Sequence, residues 1–149
     1  MLEVQEILVD ETIVDYGIKY EFHSGDNKIT YDIVSMNIEE FHTFSHSNND
    51  YEEYNLIMDN ATTEIKSIAG MDWNIEFGND IPNIVKIFRV FEFVGQRYAE
   101  IYKPDVIYYR FEDVRMHEAY RRWIEVKKYV LSFTGKDIAI YYREIENEV

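Results

Sequence analysis

Two histidines and an aspartate lie at intervals of four residues in the first half of the chain. On a helix, His42, His46 and Asp50 would share one face, which is an arrangement that could hold a metal ion. A zinc-protease helix has a glutamate directly after its first histidine, and Thr43 occupies that position here. Residues 37–50 have neither helical nor strand periodicity, so a short helix or a loop is expected. We therefore predict solvated histidines and no metal site.

Adjacent acidic residues occur at Glu39-Glu40, Glu52-Glu53 and Glu112-Asp113. A two-carboxylate hydrolase needs one protonated and one ionised carboxyl group facing the same bond. Neighbouring side chains on a strand or helix point away from each other, so no doublet is a catalytic pair by itself. His23 and His117 have no partner adjacent in sequence. We predict that all of these residues lie on solvated surfaces.

Several function classes are disfavoured because the residues that they need are absent. The sequence has no cysteine, which excludes disulfides, thiolate metal sites and cysteine nucleophiles. It contains no GxSxG elbow, no GxxxxGK[ST] phosphate loop and no GxGxxG turn. The longest apolar runs are a few residues, and Met1 does not open a leader-like stretch. A cytoplasmic protein that does not enter a membrane is therefore expected.

The composition predicts one globular domain, residues 1–149, because 46% of the residues are hydrophobic and no Gly/Ser-rich linker interrupts them. The net charge of −14 disfavours binding to nucleic acid or to anionic lipid. The charge is uneven along the chain. Residues 1–80 hold 18 acidic residues and three lysines, whereas residues 81–149 hold 11 acidic and 12 basic residues.

Alternating apolar and polar residues predict strands in the first half of the chain. Residues 12–22 and 28–34 flank the cluster Ser24-Gly25-Asp26-Asn27, whose residue types favour a hairpin turn. The segment 61–69, which lies between two further predicted strands, could also adopt an extended conformation. Further predicted strands are residues 3–9, 54–58 and 72–77.

Helical periodicity dominates the second half. Apolar residues recur at helical spacing from about 80 to 102, where Asn79 or Asp80 can cap the helix and Pro82 can occupy its first turn. This wide apolar surface predicts a central, well-buried helix.

A second helix is predicted over about 113–131, with Thr134-Gly135 ending it. Strands are predicted at residues 106–111 and 137–145. The second half therefore has a β-α-β-α-β pattern after a mostly antiparallel first half. This order predicts an α+β fold with a mixed, mostly antiparallel sheet.

Four consecutive segments within residues 71–131 carry a family resemblance: WNIEFG, IVKIFRVFEFV, KPDVIYYRFED and RMHEAYRRW. A Phe-rich helix, a Pro-initiated strand and a helix bearing Arg and Tyr resemble a group of small uncharacterised phage-encoded proteins. Those proteins in turn look like reduced relatives of the GNAT acyltransferase fold. The resemblance implies a GNAT-like fold and a phage origin.

The resemblance also implies where coenzyme A would bind. A working GNAT enzyme holds the pyrophosphate of acyl-coenzyme A on backbone N–H groups of a Gly-rich loop that begins the central helix. The matching residues here are Gly78, Asn79, Asp80 and Ile81. Pro82 has no N–H to donate, and the carboxylate of Asp80 would repel the phosphates. These departures argue against coenzyme A, so no cofactor is expected.

Tyr120 falls where the resemblance implies a tyrosine general acid on the helix after the central one. A helix packed against a sheet would also place a tyrosine there. We therefore favour a core role for Tyr120 over a catalytic one.

Two surfaces could bind other molecules. The first surface combines acidic and aromatic side chains, which suits a basic protein partner. It consists of Asp50, Tyr51, Glu52, Glu53 and Tyr54. A basic patch that could bind an anion or the acidic half of a second copy consists of Arg110, Arg115, Arg121, Arg122, Lys127 and Lys128.

The sequence favours a non-catalytic protein-binding module on a degenerate acyltransferase-like scaffold. One alternative is an N-acyltransferase that uses acyl-coenzyme A through a divergent cofactor loop. Another is an acidic mimic of nucleic acid or a minor virion component. Homo-oligomers are compatible with each of these hypotheses.

Overall fold

The computed structural model describes residues 1–49, 51–61, 63–134 and 137–144, which contain eight strands and four helices. The strands are β1 Leu2–Val4, β2 Ile7–Val14, β3 Gly17–Ser24, β4 Asn27–Met36, β5 Ile68–Glu76, β6 Val106–Arg110, β7 Tyr129–Thr134 and β8 Ile138–Arg143. The helices are α1 Ile38–Ser47, α2 Tyr51–Asn60, α3 Ile84–Tyr102 and α4 Val114–Val126.

The strands form one sheet in the order β1-β2-β3-β4-β5-β6-β8-β7. Among the described residues only β5 and β6 pair in parallel, with Ile68 opposite Val106 and Met71 opposite Tyr109. Because parallel neighbours need a crossover, α3 connects them. The predicted α+β class and the mixed, mostly antiparallel sheet are confirmed.

Both faces of the sheet are covered by helices. One face packs its alternate strand residues against α3 and α4, and this larger core is rich in aromatic side chains. Phe91 of α3 stacks on Tyr31 of β4 at 4.3 Å between ring centroids and also contacts Trp73 of β5 at 5.5 Å. The opposite face packs against α1 and α2 through residues such as Phe41 and Ile57. Eight of the thirteen tyrosines, all of them within the described residues, are buried.

Four predicted boundaries in the first half are wrong. The predicted strand 3–9 contains a turn at Gln5-Glu6 that separates β1 from β2. Residues 54–58, predicted as a strand, belong to helix α2. The short apolar run fits either structure, and packing of Ile57 against the sheet favours the helix. The predicted strand 12–22 contains a turn at Asp15-Tyr16 that separates β2 from β3. Strand β5 begins at Ile68, four residues before the predicted start at residue 72.

The second half differs mainly at the helix ends. Helix α3 begins at Ile84, because the side chain of Asn83 accepts the N–H of Lys86 and caps the helix. Asn79, Asp80 and Pro82 therefore precede the helix. Helix α4 ends at Val126, and residues 129–131, predicted as its last turn, belong to strand β7. Lys128, with φ of 65°, reverses the chain between them. Gly135, predicted to end α4, lies outside the described residues.

Candidate functional site

The loop before α3 meets the turn that joins β3 to β4. Gly25 is the first of the two turn residues, and its φ of 63° is the left-handed conformation that glycine adopts at low cost. This turn directs the side chains of Ser24, Asp26 and Asn27 towards the loop. We call these three residues together with residues 78–83 the turn–loop junction.

The carboxylate of Asp26 binds the backbone of the loop. Its Oδ2 accepts the N–H of Asn79, and its Oδ1 accepts the N–H of Asp80 at 2.8 Å. These hydrogen bonds lower the pKa of the Asp26 carboxyl below its ordinary value. A carboxylate of the chain itself thus occupies the N–H groups that an external anion would need.

Ser24 and Asn27 bind the rest of the loop. Oδ1 of Asn27 accepts the N–H of Gly78 at 2.9 Å, and its Nδ2 donates to the carbonyl oxygen of Asp80 at 3.0 Å. Oγ of Ser24 accepts the N–H of Asn83 at 3.2 Å. Asn27 is fully buried, so both ends of its amide are used in the interior.

The four residues that the resemblance matches to a coenzyme A loop have different surroundings. The N–H groups of Gly78, Asn79 and Asp80 already have acceptors, whereas Ile81 is 94% exposed. A side chain at Gly78 would place its Cβ 2.3 Å from Cγ of Asp26, so glycine here permits the close approach of the turn. The chemistry of this junction is that of an internal anion site.

Tyr120 lies in the aromatic core. It has no exposed surface, and its hydroxyl donates a hydrogen bond to the hydroxyl of Tyr31. Burial raises the pKa of Tyr120 well above its ordinary value and also raises the pKa of Tyr31. The arrangement holds both hydroxyl groups in their protonated form.

A second hydroxyl network lies beside this pair. The hydroxyl of Tyr109 lies 2.9 Å from Nδ1 of His117 and 3.3 Å from the hydroxyl of Tyr141. The imidazole of His117 also stacks on Phe111 at 4.4 Å between ring centroids. The ring is half-buried, which corrects the surface position predicted for His117. Burial lowers the pKa of His117 below 6.5, so this network favours neutral imidazole near neutral pH.

The predicted partner-binding segment lies on helix α2, except for Asp50, which is outside the described residues. Tyr51 and Glu52 are exposed. Glu53 is 5% exposed, which corrects the solvated position predicted for it, and it forms an ion pair with Arg110 of β6. Tyr54 packs against Phe41 at 5.9 Å between ring centroids. Only the outer face of this segment can meet another molecule.

His42 and His46 lie on one face of α1, with ring centroids 4.0 Å apart. Asp50, the third member of the predicted trio, is outside the described residues. Within the described ranges, no group of three or more His, Asp and Glu side chains could hold a metal ion. The two histidine rings contact Tyr54 and Tyr51 of α2.

The predicted basic patch is divided among different surroundings. Arg110 pairs with Glu53 and Asp137, whereas Arg121 pairs with Glu125 on its own helix. The remaining members with described carboxylate contacts are Arg115 with Asp113 and Lys127 with Glu100. Arg115 and Arg122 line a groove beside α3 that also contains Arg89, a residue outside the predicted patch.

The sequence did not reveal that Asp26 binds the loop at residues 78–80, because these residues are more than fifty positions apart. The turn-forming residue types of 24–27 were the one local signal.

Comparison of the chain with protein-family models, with curated proteins and with solved structures finds no match. In the part of the chain that the structure describes, no helix has the length and apolar character needed to cross a bilayer.

Proposed function

We propose that this protein is a non-catalytic protein-binding module on a degenerate acyltransferase-like scaffold. The proposal includes the relationship to small phage-encoded proteins that the segments of residues 71–131 suggest. One observation carries it: the Asp26 carboxylate accepts the backbone N–H groups of Asn79 and Asp80. The resemblance matches those two amides to the loop on which an acyltransferase of this type holds the pyrophosphate of its cofactor.

Occupation by Asp26 matters for two physical reasons. An amide that already donates to a carboxylate has no second proton for a phosphate oxygen. A pyrophosphate approaching the loop would also meet the negative charges of Asp26 and Asp80. Ligand binding would therefore require the turn–loop junction to open, and the hydrogen bonds of Asn27 and Ser24 oppose that movement.

The position of Tyr120 supports the same proposal. A general acid must reach the leaving group at hydrogen-bond distance. The Tyr120 hydroxyl instead contacts Tyr31 within the core, and no part of the residue is exposed. Proton donation to a departing thiolate would need this core to separate.

Thermal unfolding in the presence of acetyl-coenzyme A tests the proposal. We expect no change in Tm for the native protein at millimolar acetyl-coenzyme A, because Asp26 occupies the loop amides. A ligand that did bind would, at a hundredfold excess over its Kd, stabilise the folded state by about 2.7 kcal/mol. The same Tm measurement on Asp26→Ala reports whether the Asp26 carboxylate blocks the loop. Asp15→Ala, in the preceding hairpin turn, is the matched control. A clear rise in Tm for the native protein would contradict the proposal and support the N-acyltransferase alternative.

The outer face of α2 is a candidate surface for a basic protein partner. Tyr51 and Glu52 present a ring and a carboxylate to solvent. A photo-reactive residue at position 51 is expected to cross-link such a partner, whereas one at the exposed Tyr102 of α3 is not. Stoichiometric recovery of the protein in purified virus particles would instead assign it a structural role in the virion.

A further inference from the structure

The outer side of α3, together with β1 and α4, forms an open groove of about 760 Å³. Val85, Arg89 and Phe93 follow one another at intervals of four residues and make one wall. Val85 is 59% exposed and Phe93 is 42% exposed. The wall therefore offers apolar surface to a ligand on both sides of a guanidinium.

Helix α4 makes the opposite wall. Arg115, Ala119 and Arg122 lie at intervals of four and three residues and line the groove. Ala119 is buried, and its small side chain leaves space between the two arginines. The buried ring of Phe88 also lines the groove. The guanidinium of Arg115 already binds the Asp113 carboxylate, with Nη2 at 2.7 Å from Oδ2.

Two of the three arginines in this groove, Arg89 and Arg122, differ from the other arginines of the chain in their pairing. The chain has seven arginines, all within the described residues, and five of them form ion pairs with a carboxylate. Arg89 and Arg122 have no carboxylate within 4.0 Å in the described part of the chain. Both line the same groove. In a chain with 29 acidic residues, two unpaired guanidinium groups in one groove indicate an anionic ligand.

Two carboxylates restrict what that ligand can be. Glu3 and Glu92 also line the groove, and the whole chain carries a net charge of −14. A polyphosphate backbone would be repelled by these charges along most of its length. A ligand with one or two carboxylates and an apolar side chain carries fewer negative charges and meets the arginines with less repulsion.

We propose that this groove binds a short acidic segment of a partner protein. A carboxylate of the segment is received by Arg89 and Arg122, and an apolar side chain next to it packs on Val85 and Phe93. The inference rests on the proposed protein-binding function and names the chemistry of one partner. Its main support is the charge complementarity between these two unpaired arginines and the carboxylate of the segment.

Selection from a displayed library of random 12-residue peptides against the immobilised native protein tests the inference. We expect enrichment of Asp or Glu next to Leu, Ile or Phe. Fluorescence anisotropy should show at least tenfold weaker binding of the selected peptides to Arg89→Ala/Arg122→Ala, because both charge-assisted contacts are lost. Arg121→Ala, an exposed α4 arginine that pairs with Glu125, is the matched control and should bind within twofold of the native protein.

The same peptides with Asp and Glu replaced by Asn and Gln should also bind at least tenfold more weakly, which tests the inference without altering the protein. Failure to enrich acidic peptides, or equal binding by the double variant, would overturn it. Displacement of the peptides by a 12-nucleotide single strand would assign the groove to a polyanion. A dimer in light scattering that the double variant dissociates would assign it to a second copy. Displacement by acetyl-coenzyme A would overturn both this inference and the proposed function.

Discussion

Asp26 and Asp80 each accept a hydrogen bond from the backbone N–H of the other residue. The Asp80 N–H lies 2.8 Å from Oδ1 of Asp26, and the Asp26 N–H lies 3.3 Å from Oδ2 of Asp80. Two carboxylates of like charge thus stay close because each is bound to an amide of the other segment. The pair holds the β3–β4 turn against the start of α3.

Acid should weaken the hydrogen bonds that the Asp26 carboxylate accepts, and it should do so in a defined pH range. The folded pKa of Asp26 lies below its ordinary value of 3.8, so the unfolded chain binds its proton more readily. Its stabilising contribution is therefore present above pH 3.8 and is lost as the pH falls through the folded pKa. Asp26→Asn should be less stable than the native protein near neutral pH, and the difference should narrow in more acidic solution.

Urea unfolding between about pH 6 and about pH 2.5 measures this difference. Asp15→Asn in the β2–β3 turn is the control, because Asp15 is exposed and no side-chain hydrogen bond to it is found among the described residues. A constant difference between native and Asp26→Asn protein across the range would show that the Asp26 charge does not stabilise the junction.

The Tyr31–Tyr120 pair should show strong coupling. Tyr120→Phe removes the donor and leaves the buried hydroxyl of Tyr31 without its partner, at a cost of about 1–3 kcal/mol in the free energy of unfolding. The double variant Tyr31→Phe/Tyr120→Phe should be no less stable than Tyr120→Phe alone, because it leaves no orphaned hydroxyl. A double-mutant cycle by urea unfolding measures the coupling, with the half-exposed Tyr102→Phe as control. Additive effects would contradict a coupled pair.

Neighbouring glutamates of α2 should differ in their effect on stability. Glu53→Gln should destabilise the protein by about 1–3 kcal/mol, because a buried charged partner of Arg110 is lost. Glu52→Gln, at an exposed position, should change the free energy of unfolding by less than about 0.5 kcal/mol. Thermal and urea unfolding of the two variants give the comparison. Equal effects would mean that the contact between α2 and β6 does not contribute to stability.

His117 should titrate below its ordinary range in the folded protein. Burial lowers its pKa, the nearby Arg121 lowers it further, and Glu118 raises it. Arg121→Gln is therefore expected to raise the pKa of His117, and Glu118→Gln is expected to lower it. NMR titration of the imidazole Cε1–H of His117 measures both shifts.

The lowered pKa of His117 makes the free energy of unfolding depend on pH in a definite direction. Because the folded state favours neutral His117, the contribution is present above about pH 6.5 and is lost as the pH falls through the folded pKa. His117→Gln should remove that part of the pH dependence. A His117 pKa above 6.5 in the native protein would contradict the half-buried network with Tyr109.

The sequence predicted those features that depend on local periodicity. Alternating residues indicated the hairpin of β3 and β4, and helical spacing indicated α3, because side-chain direction in a strand or helix repeats over short distances. The same reasoning was wrong for α2. Its apolar run is short, and the sheet against which Ile57 packs decides between strand and helix.

Only the tertiary structure determined which distant groups meet. The sequence identified the loop at residues 78–81 and the turn at residues 24–27, yet their contact depends on strand order and on the path of the chain into α3. The buried positions of Tyr120 and Glu53 depend on the layers that cover each face of the sheet. Arg89 and Arg122 share a groove because α3 and α4 pack side by side. Local sequence determines how a segment folds, whereas long-range packing determines which of its polar groups remain available to another molecule.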